Sequence, residues 1–181
     1  MNKRRFSKKF QLLFFFAGTL VMLLVMAITS STLKTPATPK GILDLEFAWD
    51  TTKASAVINA WDGISPVDNI HIAKINTWLD FIFLFFYSLF LYHACKLLAA
   101  SFSGFLFTTG GFLAKGALAA GVLDVLENAG MLITLHGHLS DSCTMLTFIF
   151  SMIKWMLALA AVLYILIAGS LLLFQKIRNT G

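Results

Sequence analysis

The stretch G-F-L-A-K-G-A-L-A-A-G-V-L-D-V-L-E-N-A-G-M-L-I-T-L, Gly111 to Leu135, decides how this chain must fold. A single helix needs about 20 mostly apolar residues to cross about 30 Å of hydrocarbon, and this stretch is long enough. Yet it carries Asp124, Glu127 and Asn128 in its interior. A charge at the bilayer centre costs about 2.5–3.5 kcal/mol on insertion scales, so such residues turn toward a bundle interior or water and find partners. Asp124 and Glu127 are spaced i, i+3 and Asp124 and Asn128 i, i+4, which puts all three on one helix face. Ala117, Ala120 and Gly121 lie one and two turns earlier on that face, and small residues let membrane helices approach closely. The polar stripe is therefore expected to be the packing face.

The rest of the chain agrees with a membrane reading. It has 181 residues, 58% of them hydrophobic and only 13% charged, against about 25% charged in ordinary soluble domains. Mean hydropathy is +0.81. That composition excludes a cytosolic enzyme, a disordered tail and a disulfide-stapled secreted domain. Besides 111–135, three further apolar runs are long enough to cross, at 10–29, 77–99 and 145–174. The expected fold is an all-α membrane protein, a four-transmembrane-helix up-down bundle.

A net charge of +5 would suggest nucleic acid if the basic residues formed one solvated face. Instead they flank the apolar runs, so no nucleic-acid partner is expected. The segments 1–9 and 175–181, with the link 100–110 and the span ends beside it, hold nine of the fourteen Lys and Arg and no Asp or Glu. Excess Lys and Arg marks cytoplasmic loops. Both termini are accordingly expected in the cytoplasm, with 30–76 and the loop 136–144 outside. The first run could instead be a secretory signal, but it exceeds the 7–15 residues usual for a signal core, which favours an uncleaved helix.

Residues 30–76 are too many for a bare connector and read as a small extracytoplasmic cap. Leu43, Leu45 and Phe47 alternate with Asp44 and Glu46, the period of a half-buried strand. After Asp50, a candidate N-cap, Ala54, Val57, Ile58 and Trp61 mark an amphipathic helix that Gly63 can end. Ser65 and Pro66 give a second start signal. Trp49, Trp61 and Trp78 are expected near lipid headgroups, where amphipathic rings are favoured.

A rise of about 1.5 Å per residue puts Glu127 about 12 Å and Lys154 about 13 Å below the outer ends of their spans. The two are nearly level. Asp80 falls within a couple of turns of that depth if its helix begins near Pro66, and Tyr87 lies on its face. The candidate site is thus a buried polar cluster of Asp80, Tyr87, Asp124, Glu127, Asn128 and Lys154. Three acids and one base in low dielectric form a coupled set that cannot all remain charged. Such a cluster can relay protons, bind a cation, hold a polar headgroup, or only fix helix register as a buried ion-pair network.

Other polar groups read as less specific. His136, His138, Asp141 and Cys143 are metal-capable, but their spacing matches no standard zinc pattern, and no metal site is expected. Cys95 and Cys143 fall at opposite ends of their spans, beyond disulfide reach. His93 reads as a bundle or interfacial histidine, and Gly110-Gly111 as a turn. No nucleophile elbow, H-E-x-x-H, phosphate loop or dinucleotide turn is present, so no catalytic residues and no cofactor are assigned.

Three pieces, L-E-F-A-W-D-T-T-K-A-S-A-V-I-N-A-W (Leu45 to Trp61), W-L-D-F-I-F-L-F-F-Y (Trp78 to Tyr87) and L-D-V-L-E-N (Leu123 to Asn128), resemble a group of small four-helix bacterial membrane proteins with an intramembrane D-x-x-E-N. The resemblance implies a multi-pass protein of a bacterial cytoplasmic membrane. It points to Asp80, Asp124, Glu127 and Asn128 without supplying an activity. The functional expectation is a non-enzymatic accessory, sensor or small-solute or proton-handling protein, with membrane lipids or another membrane protein as partners. The alternative is a membrane enzyme acting on a lipid or quinone-like substrate, with Glu127 or Asp124 as acid/base. A third is an immunity-type partner working through an exposed apolar face on residues 42–61.

Overall fold

A computed structural model describes residues 2–62 and 67–179 of the chain, with side chains from residue 8 onward. Among these residues the protein is all-helical and has no strand. Four helices are long and apolar enough to cross a membrane. They are α1 (Asn2–Thr29), α4 (Asn69–Ala99), α5 (Gly104–Leu135) and α6 (Asp141–Arg178). Two short helices, α2 (Ile42–Glu46) and α3 (Thr51–Asp62), lie between α1 and α4.

The central helix is α5, which packs along both α4 and α6, while α1 packs chiefly on α4. Small residues make the close approaches. A Cβ on Gly121 would come within 2.9 Å of Ser88 Cβ, and one on Gly110 would collide with Tyr164 and Ala99. Gly110 and Gly111 are thus interior helix residues and not the expected turn. The Gly-Gly pair lies within a continuous helix, because α5 begins at Gly104, and of the two only Gly110 makes a close helix contact. On α1, Phe15 stacks on His93, with ring centroids 5.4 Å apart and planes 7° apart. Toward its other end, Asn76 donates its amide to Met26 O and Thr29 Oγ1.

The segment before α4 has its own core of Leu33, Leu45, Ala48, Ala54, Val57 and Trp61, joined by Ala73 and Leu135. Asp50 caps α3 by accepting from Lys53 N at 2.7 Å. The expected strand at residues 43–47 is instead α2. No strand among the described residues could pair with it, whereas a helical turn turns Leu45 and Glu46 inward together. Gly41, at φ 65°, supplies the left-handed backbone that starts α2. Trp61 also departs from expectation. It is fully buried and donates its indole N–H to Leu33 O at 3.0 Å, so it is a core residue of this segment, while Trp49 and Trp78 are exposed. The segment is tied to the end of the bundle where α5 meets α6, since Thr51 donates its N–H and hydroxyl to Asp141 Oδ1. The start of α4 is capped by Asp68, which accepts from His71 N; Gly63, Ser65 and Pro66 lie outside the described residues.

Candidate functional site

Lys154 stands in the middle of α6 and is 7% exposed. Its ammonium lies 2.6 Å from Asp124 Oδ1, 2.7 Å from Glu127 Oε2 and 3.0 Å from Glu46 Oε1. An ammonium has three protons to donate, and here three carboxyls surround it. The contact with Glu127 is close but poorly aligned, so Oε2 has ion-pair proximity without a directed hydrogen bond.

A second layer fixes these acids. Tyr87 donates to Asp124 Oδ2 at 2.8 Å, leaving neither oxygen of that carboxyl unbound. Ser151 and Trp155 each donate to Glu46 Oε1 at 2.7 Å. Asp80 Oδ2 accepts from Asn128 Nδ2 at 2.7 Å and is not in ion-pair contact with Lys154. The structure therefore brings Asp124, Glu127 and Lys154 into direct contact, holds Tyr87 through Asp124, and places Asp80 and Asn128 beside them as a separate pair.

Glu46 is the residue that sequence reasoning missed. It lies outside every apolar run and was assigned to the polar edge of a strand. In α2 it follows Ile42 by one turn, and the turn aims it into the bundle at Lys154. A single lysine embedded in an apolar run, with more than one acid needed to surround it, was the available signal.

The cluster borders a cavity of about 320 Å³ walled by α1, α2, α4, α5 and α6. Its polar floor is Glu46, Asp80, Asp124, Glu127, Asn128 and Lys154, and its apolar walls include Phe83, Phe90, Leu159 and Val162. Leu159 and Val162 are also exposed on the outer face of α6. The apolar wall of the cavity therefore reaches out to the surface of the helix bundle. Asn128 and Asn76 are each 0% exposed, yet Asn128 Oδ1 and Asn76 Oδ1 have no hydrogen-bond partner and both residues line this space. A buried polar atom left unpaired costs about 1–3 kcal/mol. A network serving only to fix register would close on itself with every atom paired; this one keeps a cavity and spare acceptors.

The remaining candidates are spread apart. His136 Nδ1 sits on Leu132 O at 2.7 Å, Asp141 accepts from Thr51, and Cys143 Sγ lies 3.7 Å from Gly130 O. Among the described residues no three His, Cys, Asp or Glu are grouped to hold a metal. Nor do residues 42–61 present the apolar face that an immunity-type partner would need. Leu45, Ala48, Ala54, Val57 and Trp61 are buried, and Trp49 is covered on one side by Lys53, whose ammonium lies 3.9 Å from the ring centre.

The fold and site together define an all-helical protein, among its described residues, with four membrane-length helices and a buried, acid-rich ion cluster that lines a cavity. Comparison with known protein families, with curated proteins and with solved structures finds no match. The functional reading therefore rests on the geometry of the site.

Proposed function

We propose that this chain is a multi-pass protein of a bacterial cytoplasmic membrane, both termini inside and the α2–α3 segment forming an external cap, whose polar centre binds a small hydrogen-bond-donating or cationic group. The observation that carries this reading is the cavity itself, which is lined by Asp80, Glu127 and Asn128, the last with a buried Oδ1 that has no hydrogen-bond partner. Three carboxyls contact one ammonium there, and a fourth, that of Asp80, lines the same cavity. Such a floor repels phosphates and carboxylates, and it favours protons, ammonium groups, hydroxyls and metal-free cations. The apolar walls suit a hydrocarbon tail behind the donating head. This is a binding or proton-handling role and not a catalytic one. Asp124 and Glu127, the acids an enzyme would use, are both engaged by Lys154.

Trp155 is a built-in reporter, since its indole binds Glu46 at the cavity wall. The test is a fluorescence titration of purified protein with dodecylamine, and with dodecyl phosphate as the opposite charge. Dodecylamine is expected to give a saturable change that is absent in Trp155→Phe and at least tenfold weaker in Asp80→Asn, with no response to dodecyl phosphate. A flat dodecylamine titration, or equal responses to both probes, would remove the binding reading and leave a static ion-pair network.

A further inference from the structure

A second site lies at the other end of the helices. A groove of about 750 Å³ runs between the first turns of α1 that carry described side chains, the last turns of α4 and the early turns of α5. Three lysines from three different helices line it: Lys8, Lys96 and Lys115. All three are exposed, and none of them is ion-paired with a described acid. No Asp or Glu lines the groove. Its rim is apolar, with Phe107 and Phe112 56% and 68% exposed. The floor is open at Gly111, where an added Cβ would meet nothing within 4 Å.

These features converge on one ligand chemistry. Unpaired ammonium groups gathered from separate helices call for an anion with several acceptor oxygens, and basic pockets between membrane helices suit phosphate-bearing headgroups. Bare phenyl rings beside them call for hydrocarbon. Lysine stems can lie along that apolar rim while their heads reach the phosphate. We propose that this groove is a binding site for the headgroup of an anionic phospholipid, its phosphate held by Lys8, Lys96 and Lys115 and its acyl chains against Phe107 and Phe112. The site is independent of the polar centre, whose charge has the opposite sign.

The experiment counts lipids retained on the full chain by native mass spectrometry after equilibration with phosphatidylglycerol or phosphatidylcholine. Phosphatidylglycerol is expected to stay bound and phosphatidylcholine to leave. Each surface lysine contributes roughly a fivefold gain for anionic lipid, so Lys8→Gln/Lys96→Gln/Lys115→Gln should weaken retention on the order of a hundredfold. The charge-preserving Lys8→Arg/Lys96→Arg/Lys115→Arg should keep it. Removing equal charge elsewhere, in Lys34→Gln/Lys40→Gln/Lys53→Gln, should leave retention unchanged. The proposal is overturned if that control loses as much lipid as the groove variant, if the arginine variant also loses it, or if millimolar inorganic phosphate displaces the lipid, which would make the groove a site for the free anion.

Discussion

Glu46 Oε1 lies 3.0 Å from Lys154 Nζ, although Glu46 sits on a five-residue helix between the first two long helices and Lys154 in the middle of the last. A helix of one turn has little stability of its own, because its few internal hydrogen bonds barely offset the cost of nucleation. The ion pair and the hydrogen bonds from Ser151 and Trp155 anchor α2 to α6, and with it one wall of the cavity. The proposed binding at the polar centre would therefore be coupled to order in the connecting segment through one carboxyl.

Glu46→Gln tests that anchor. The amide keeps an acceptor oxygen for Ser151 and Trp155 but loses the charge facing Lys154. A loss of about 1–3 kcal/mol is expected. Because the loss falls on the connecting segment, trypsin should cut faster after Lys34, Lys40 and Lys53 while α4 to α6 remain protected. Unchanged digestion would show that α2 is held by its apolar contacts alone.

Lys154→Met should be far more damaging. It leaves Glu46, Asp124 and Glu127 facing one another without their cation, and breaking a buried pair costs about 3–5 kcal/mol. Adding Glu127→Gln removes one of the stranded charges and should recover part of the loss. A double-mutant cycle measured by denaturation in detergent reads the coupling directly. Additive effects would mean that the two groups are not in contact.

Much of this arrangement was legible in the sequence because bilayer physics is unforgiving. Asp124, Glu127 and Lys154 could only be tolerated by turning inward, and counting residues from the span ends put Glu127 and Lys154 at one depth. The helix spacing carried the rest of that face. The connecting segment was harder to read, since it is not constrained by hydrocarbon. Alternation at Leu43–Phe47 resembles a strand, and only the tertiary docking of α2 selects a helix and delivers Glu46. Trp61 misled for a related reason. An aromatic ring with a polar edge fits a headgroup zone, but it fits equally well a small core that offers its N–H the carbonyl of Leu33. Gly110 and Gly111 carry a turn signature, but at Gly110 the glycine serves a close helix contact, and sequence alone does not distinguish the two uses.

The two adjacent glycines should now separate on mutation. Gly110→Ala drives a methyl into Tyr164 and Ala99, whereas Gly111→Ala points into open space. Overpacking of this kind costs about 1–3 kcal/mol, and a helix-interior alanine otherwise gains up to about 1 kcal/mol over glycine. Gly110→Ala is expected to lower the melting temperature and Gly111→Ala to raise or preserve it. In a Tyr164→Ala background the added cost of Gly110→Ala should be smaller than in the unaltered chain, and equal melting of the two single glycine variants would rule out the close contact.

The sidedness proposed from charge bias has a direct readout. Thr52 on α3 and Asn179 beyond α6 are both exposed, so a cysteine at either is reachable from its own side of a membrane. With Cys95 and Cys143 replaced by Ser, Thr52→Cys should react with a membrane-impermeant maleimide in intact cells, and Asn179→Cys only after the cells are opened. The reasoning is that translocating the lysines and arginines near the chain ends is disfavoured, whereas residues 30–76 balance their lysines with five acids. The reverse labelling pattern would place the groove of Lys8, Lys96 and Lys115 in the outer leaflet. Labelling of both positions in intact cells would put the two on the same side, which four crossings in alternating directions forbid.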